Sequence, residues 1–183
     1  MSLDRLAQSM TSLVLLGGLA VIATAWGYQL IGGYVPCELC LQQRNPYYAG
    51  LPLTALALLL MLRGRTGLAI AVLVAVTAIF AYGSGLGVYQ AGAEWGFWDG
   101  PKDCGGGGSA PTSASDMLGA LKTTRVVSCT EASWRMFGLS FAGWNAVASA
   151  GLALLALGAA GVLVKRRPEA GSKDRSKDSI VGA

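Results

Sequence analysis

The sequence contains no histidine. Because histidine is the commonest metal ligand and the side chain that most readily changes charge near neutral pH, its absence removes the usual general base and the usual ligand of a metal site. Charged residues are also scarce, at 13% of 183 residues, where a soluble domain carries about 25%. This lack of charge, together with 53% hydrophobic residues, excludes an ordinary soluble domain and indicates an integral membrane protein.

Charge-free stretches long enough to cross a membrane occur four times. A membrane helix needs about 20 apolar residues, since each residue adds about 1.5 Å across a hydrocarbon core about 30 Å thick. The stretches predict spans over about 11–31, 45–62, 67–92 and 140–164. We therefore expect an all-α integral membrane protein, with a bundle of four transmembrane helices in residues 1–167. The polar segment 168–183 is expected to be a disordered cytoplasmic tail.

Basic residues predict the orientation of the bundle. Because cytoplasmic segments are enriched in Lys and Arg, the basic residues mark the cytoplasmic ends of the spans and place both termini in the cytoplasm. The long loop of about 94–135 and all four cysteines then lie on the opposite side of the membrane, outside the cytoplasm, where disulfides persist. These membrane-edge residues also explain the net charge of +4, so no nucleic-acid partner is expected. They are Arg5, Arg63, Arg65, Lys165, Arg166 and Arg167.

The first apolar stretch has an alternative interpretation. Residues 1–25 could be a cleaved signal peptide, with Arg5 as its basic region and Ala23 to Ala25 as its cleavage site. Apolar sequence runs on past Ala25 to Ile31, which favours a membrane span. Cleavage would leave the cysteines on the same side of the membrane.

Two further patterns concern helix packing and the membrane boundary. Gly83 and Gly87 form a small-xxx-small face, which permits close approach of a neighbouring helix. Aromatic residues cluster at the ends of the third and fourth spans that face the long loop. They predict an interfacial belt, and docking of a partner is the alternative. The residues are Trp95, Phe97, Trp98, Trp134, Phe137, Phe141 and Trp144.

Cys37 and Cys40 form a C-E-L-C pair at the mouth of the second span. Two cysteines at this spacing can close a small disulfide ring, and the positive end of a helix dipole favours a thiolate there. Arg44 follows Cys40 by four residues, so on a helix the two share a face. Its permanent charge would stabilise a thiolate, or a negative charge that develops on an acceptor beside the sulfur. Snorkelling to lipid headgroups is the alternative role for Arg44.

A proline complicates this adjacency. Asn45 as N-cap and Pro46 at the first helical position predict that the second span begins there. Residues 37–44 would then form a separate turn or a kinked helical preface, and the Cys40–Arg44 contact would be plausible without being guaranteed.

Cys104 and Cys129 lie in the long loop, and four glycines, Gly105 to Gly108, follow Cys104 as a flexible tether. A structural disulfide that closes about 25 residues, worth about 3 kcal/mol of loop entropy, is one interpretation. The loop has little apolar sequence to order, which favours an exposed, exchanging disulfide. A four-thiolate zinc or iron–sulfur site is disfavoured, because only one CxxC is present where a zinc ribbon has two, so no metal is expected.

These motifs resemble the disulfide bond formation protein B (DsbB) family, the quinone-coupled thiol oxidases of the bacterial inner membrane. The resemblance covers nearly the whole chain except the polar tail. It includes C-E-L-C-L-Q-Q-R at the start of the second span, the loop cysteines, and the stretch from Cys129 through Trp134 to Trp144.

The resemblance implies a thiol relay that ends at a quinone. A reduced periplasmic thioredoxin-fold oxidase, DsbA-like, would attack Cys104, and the released Cys129 would attack the Cys37–Cys40 disulfide at Cys37. Electrons would leave through Cys40 to a membrane quinone, ubiquinone or menaquinone, with Arg44 holding the quinone oxygen. With no histidine in the chain, water or another group must assist protonation of the quinone.

Two other interpretations remain open. A vitamin K epoxide reductase-like enzyme also uses a loop pair of cysteines and a membrane CxxC pair. In that class the loop pair comes before the CxxC pair in the sequence, whereas here the CxxC pair comes first. A membrane protein with purely structural disulfides, or a membrane thiol-binding chaperone, would not be an enzyme at all.

Overall fold

The computed structural model describes residues 3–100, 125–126, 131–132 and 134–181, with side chains described outside 125–126 and 167–181. Four long helices dominate it: α1 (Leu3–Leu30), α3 (Asn45–Leu62), α4 (Thr66–Glu94) and α5 (Phe141–Val181). A short helix, α2 (Glu38–Gln42), precedes α3. The predicted site residues Cys104 and Cys129 lie outside the described residues.

The helices have the length and apolarity of membrane spans. In the described part of the chain, the segments Leu3–Leu30, Glu38–Leu62, Thr66–Glu94 and Phe141–Arg166 meet both criteria. Large apolar side chains such as Leu16 and Leu154 point outward and are more than 60% exposed, as expected where lipid replaces water. In a helix the backbone N–H and C=O groups hydrogen-bond to one another, which is required in hydrocarbon because no water is available as a partner. The predicted all-α, four-helix membrane fold is confirmed.

Close packing between α4 and α5 depends on glycine. A Cβ atom at Gly87 would lie 2.8 Å from the backbone nitrogen of Ala146 and 2.9 Å from the carbonyl oxygen of Ala142. Gly83, one turn earlier, faces Pro46 of α3. Ser84 then donates a hydrogen bond to the carbonyl of Ala146 at 2.9 Å. The small-xxx-small pattern therefore forms a helix contact, as predicted.

The start of the second span is a kinked helical preface. Gln43 and Arg44 keep right-handed helical backbone angles between α2 and α3. Arg44, with φ −80° and ψ −27°, is the N-cap of α3 and has no side-chain cap bond. The prediction of Asn45 as N-cap was wrong by one residue, because the chain is already helical before Pro46 and needs no new N-terminus.

Two small sheets lie near the end of the bundle that carries Cys37 and Cys40, which we call the dithiol end. Strand β1 (Tyr34–Val35) pairs in parallel with β2 (Arg125–Val126). Strands β3 (Arg135–Met136) and β4 (Leu139–Ser140) form an antiparallel hairpin that leads into α5. Its two-residue turn, Phe137–Gly138, has positive φ at both positions, 52° and 81°, as a type I′ turn requires.

At the opposite end of the bundle, an ion pair joins the first and last helices. Asp4 near the start of α1 forms an ion pair with Arg166 of α5. Beyond Arg166 the backbone continues as helix to Val181, and the disorder of this tail stays a prediction. Only the first hydrogen-bonded turn of a helix is unfavourable to form, so polar residues can extend an existing helix at a small cost in free energy. The division of the chain into a membrane domain and a tail stays a prediction.

Candidate functional site at the dithiol end

Cys37 and Cys40 are placed by the first turn of α2. Cys37 is the N-cap, with an extended backbone, and its sulfur accepts a hydrogen bond from the backbone N–H of Cys40 at 3.3 Å. The side chains three residues apart then meet, so that the two thiol sulfurs lie 2.8 Å apart. The C-E-L-C spacing therefore produces a dithiol whose sulfurs need little movement to form a bond.

The two sulfurs have different surroundings. Cys37 is fully buried beside Leu39, whereas Cys40 is partly exposed and lines a cavity of about 390 Å³. Cys37 lies just before the spanning segment, which begins at Glu38. Its hydrogen bond to Cys40 and its burial both raise the pKa of its thiol. Cys40 is therefore the sulfur that a molecule in the cavity would contact.

Arg44 lines the same cavity and is held by the end of α1. Its guanidinium donates hydrogen bonds to the side-chain oxygen of Gln29 and to the carbonyl oxygen of Ala25, at 2.5 and 3.3 Å. It also lies over the ring of Trp26, 5.4 Å from the centroid. These contacts orient the guanidinium, which has five N–H donors and so can also bind an acceptor in the cavity. The structure thus brings Cys40 and Arg44 to one cavity.

A chain of buried amides joins the dithiol to α5. Gln90 of α4 directs its side-chain N–H₂ at both sulfurs, 3.7 Å from Cys40 and 3.9 Å from Cys37. The oxygen of Gln90 accepts from Gln43 at 2.6 Å, and the oxygen of Gln43 accepts from Asn145 at 2.6 Å. Polar side chains inside a membrane bundle are expensive and usually functional, which marks this amide chain as part of the site.

The amide chain ends on hydroxyl groups. Tyr47 of α3 donates to the side-chain oxygen of Asn145 at 2.7 Å, and its oxygen lies 2.9 Å from that of Ser149. Tyr47 also packs edge-on against Phe80. These contacts join α3, α4 and α5 beside the cavity, which Tyr47 and Asn145 line.

The remaining walls of the cavity are mostly apolar. Tyr28 and Phe141 pack edge-to-face there, with ring centroids 4.8 Å apart, and Trp144 and Val21 add further apolar surface. A mostly apolar pocket with a few convergent polar groups is typical of a small-molecule site. Its walls and polar groups suit a flat, apolar ring that carries oxygen atoms, as a quinone does.

Sequence reasoning named Cys37, Cys40 and Arg44 as candidate site residues, and it did not name several other groups that meet here. A signal was available for some of them, since Gln43 lies within the C-E-L-C-L-Q-Q-R motif and Gln90 is a polar residue inside an apolar span. The missed residues are Trp26, Gln29, Gln43, Tyr47, Gln90, Glu94 and Asn145.

These features define a class of protein: a helical, multi-pass membrane protein with a dithiol that opens onto an apolar cavity. The sequence model of the family described as disulfide bond formation protein DsbB matches residues 7–159. The chain therefore belongs to the DsbB family, and it is a membrane thiol oxidoreductase of disulfide bond formation. No curated protein and no solved structure matches the chain.

Proposed function

We propose that the chain is a thiol:quinone oxidoreductase, which reoxidises a periplasmic DsbA-like dithiol oxidase and passes the electrons to a membrane quinone. The observation that carries the proposal is that Cys40 and Arg44 line one apolar cavity. A purely structural disulfide has no use for such a cavity or for an oriented cation beside it.

The cavity residues fit the quinone half of the reaction. Ubiquinone or menaquinone supplies an acceptor of two electrons and two protons when bound. Arg44 would donate hydrogen bonds to a ring oxygen and would stabilise charge that develops there. Tyr28, Phe141 and Cys40 line the same cavity and would border the bound ring. The Cys37–Cys40 pair is oxidised to a disulfide as the two electrons leave.

The thiol half of the reaction runs through Cys104 and Cys129. The partner's dithiol reduces the Cys104–Cys129 disulfide, and the resulting thiols reduce the Cys37–Cys40 disulfide by exchange. The pairing of β1 with β2 supports this order, because Val35 lies two residues before Cys37 and its partner Val126 lies three residues before Cys129. Three residues span at most about 10 Å, so this tether limits how far Cys129 can move from Cys37.

The proposed exchange also requires movement. Cys37 is fully buried, and a thiolate must reach the sulfur that it attacks. Cys37 must therefore become exposed during the exchange. The proposed location is the bacterial inner membrane, with the dithiol end at the periplasm and the Asp4–Arg166 end at the cytoplasm.

Purified protein, a reduced thioredoxin-fold partner and a soluble quinone analogue test the proposal. We expect quinone reduction in the wild type and none in Cys40→Ser. Cys104→Ser should lose turnover with the protein partner but keep it with a small dithiol, which can reach the cavity. Unchanged quinone reduction in Cys40→Ser would refute the relay. In Cys129→Ser the free Cys104 thiolate should attack the disulfide of an oxidised partner, release the partner's second thiol and hold the partner as a mixed disulfide, which mass spectrometry would identify.

A further inference from the structure

Glu94 is a half-buried carboxylate at the cavity, and the proposed relay does not use it. It is the last residue of α4 and lines the same cavity as Cys40 and Arg44. Its Oε1 accepts a hydrogen bond from the side chain of Gln90 at 3.2 Å. Its Oε2 is buried and has no hydrogen-bond partner among the described residues.

An unpartnered carboxyl oxygen needs a reason at this position. A buried polar atom without a hydrogen bond costs about 1–3 kcal/mol, and more when the group is charged. An ionisable side chain in a membrane span is functional more often than structural. A proton on Oε2, or a ligand in the cavity that donates to it, would remove this cost.

Gln90 connects Glu94 to the dithiol. The same side-chain N–H₂ group that donates to Glu94 lies 3.7 Å from the Cys40 sulfur and 3.9 Å from the Cys37 sulfur. The carboxylate is therefore one amide group away from both thiols, and it borders the cavity proposed for the quinone. Glu94 and Cys40 therefore border the same cavity, in a chain without histidine.

We propose that Glu94 is the proton carrier between the Cys37–Cys40 dithiol and the quinone, an inference that rests on the proposed function. Formation of the S–S bond breaks two S–H bonds and releases two electrons and two protons. The quinone accepts both electrons and both protons and becomes the hydroquinone. In the dithiol form Glu94 takes up one proton from Cys40, and on oxidation it gives that proton to a quinone oxygen, so that it is again a carboxylate in the disulfide form. The second proton leaves Cys37 to solvent, and the other quinone oxygen takes up one from solvent.

The groups around Glu94 leave its carboxylate available for this role. The guanidinium of Arg135 reaches the end of α4, but it donates to the backbone carbonyl of Glu94, at 3.2 Å, and not to the side chain. Other titratable or charged groups that border the cavity come from α1, β1, α2, α3 and the segment between them. They are Tyr28, Tyr34, Cys40, Arg44 and Tyr47.

Glu94→Gln tests the proposal, because the amide oxygen can still accept from Gln90 but the side chain cannot carry a proton. We expect turnover to fall about 100-fold, within the usual range for loss of general acid–base catalysis, with the KM for quinone unchanged. Small weak acids such as formate should restore part of the rate, because they can enter the cavity and carry the proton. Glu94→Asp should keep part of the rate. Asp99→Asn removes the same charge from an exposed position nearby and should leave turnover unchanged.

Infrared difference spectra of the disulfide and dithiol forms, recorded without quinone, give a second measurement. The wild type should show a carboxylic acid C=O band that is lost in Glu94→Gln and kept in Asp99→Asn. Wild-type turnover in Glu94→Gln would overturn the proposal. So would a slow Glu94→Gln enzyme that weak acids do not rescue and whose carboxyl band is unchanged, since Glu94 would then only support Gln90. Absence of quinone reduction in the wild type would instead refute the proposed function.

Discussion

Cys37 and Cys40 lie within one helical turn but differ in burial and in the groups that surround their sulfurs. The N-cap position buries Cys37 completely and gives its sulfur a hydrogen bond to Cys40. Cys40 faces the cavity, near the amide of Gln90 and opposite the α1 residues that hold Arg44. The proposed roles follow from this asymmetry, with Cys37 for exchange with the loop and Cys40 for transfer to the quinone.

The asymmetry predicts which sulfur reacts with a small alkylating reagent. In the reduced protein near neutral pH, we expect modification at Cys40 well before Cys37. Cys37 is buried and its pKa is raised, so it stays a neutral thiol at pH values where an ordinary thiol begins to ionise. Peptide mapping by mass spectrometry after brief alkylation measures the order. Equal labelling of both cysteines in the folded protein would contradict the structure.

Arg44→Met is expected to raise the KM for quinone about 10- to 100-fold. A hydrogen bond to a charged group contributes about 1.5–3 kcal/mol, which corresponds to that change in affinity. Exchange between the partner and Cys104 should be unaffected, because it does not involve the cavity. Quinone titrations measure the first effect and mixed-disulfide formation the second.

Arg63→Met is the matched control, because Arg63 is an exposed arginine at the opposite end of α3. It should keep the wild-type KM. If Arg44→Met saturates with quinone at the same concentration as the wild type, Arg44 is only a membrane anchor.

At the scale of the element, the contact between α4 and α5 depends on the absence of a side chain at Gly87. Gly87→Ala is expected to destabilise the protein by about 1–3 kcal/mol, because the new methyl group would meet the backbone of α5, which cannot rotate away. Gly85→Ala is the control, since a Cβ there has no atom within 4 Å and alanine favours helix. Thermal unfolding in detergent compares the two. A Gly87→Ala protein as stable as Gly85→Ala would show that the helices can separate without cost.

The spans and the site differ in how well sequence can predict them. A membrane span depends on a local property, about 20 residues without charge, and all four could be predicted from composition. Cys37, Cys40 and Arg44 could be predicted because the chemistry of thiols and guanidinium is distinctive at that spacing. The contact between Gln43 and Asn145 joins residues 102 positions apart, and it depends on the rotation of α2 and α5 about their axes. No local pattern contains that information.

The N-cap of α3 shows a smaller limit on predicting helix boundaries from sequence. Asn-Pro is a good start signal for a helix, but a start signal has no effect where the preceding residues are already helical. The segment from Glu38 to Leu62 therefore continues through Gln43 and Arg44 with a kink. This continuity places Cys40 and Arg44 at one cavity, which the separate-turn alternative would not ensure.

At the scale of the whole molecule, the redox groups lie at one end of the bundle and an ion pair between the first and last helices lies at the other. The Asp4–Arg166 ion pair ties the first and last helices at one end, where the basic residues Arg63 and Arg65 also lie. The dithiol, Arg44 and Glu94 lie at the other end, beside β1 and the strand β2 from the long loop. Thiol exchange in water and electron transfer to a lipid-soluble acceptor can meet only at such a boundary.

This division predicts which side of the membrane the thiols face. In intact cells whose outer membrane has been made permeable, a membrane-impermeant thiol reagent should label single-cysteine variants that retain Cys40 or Cys104. A cysteine-free chain with Arg63→Cys is the control and should be labelled only after the inner membrane is disrupted, because Arg63 follows α3 at the end that we propose faces the cytoplasm. Gel-shift detection of the labelled chain measures both. If Cys40 or Cys104 were labelled only after disruption, the dithiol end would face the cytoplasm. The DsbA-like partner could then not reach the relay, and the proposed reaction would have no source of electrons.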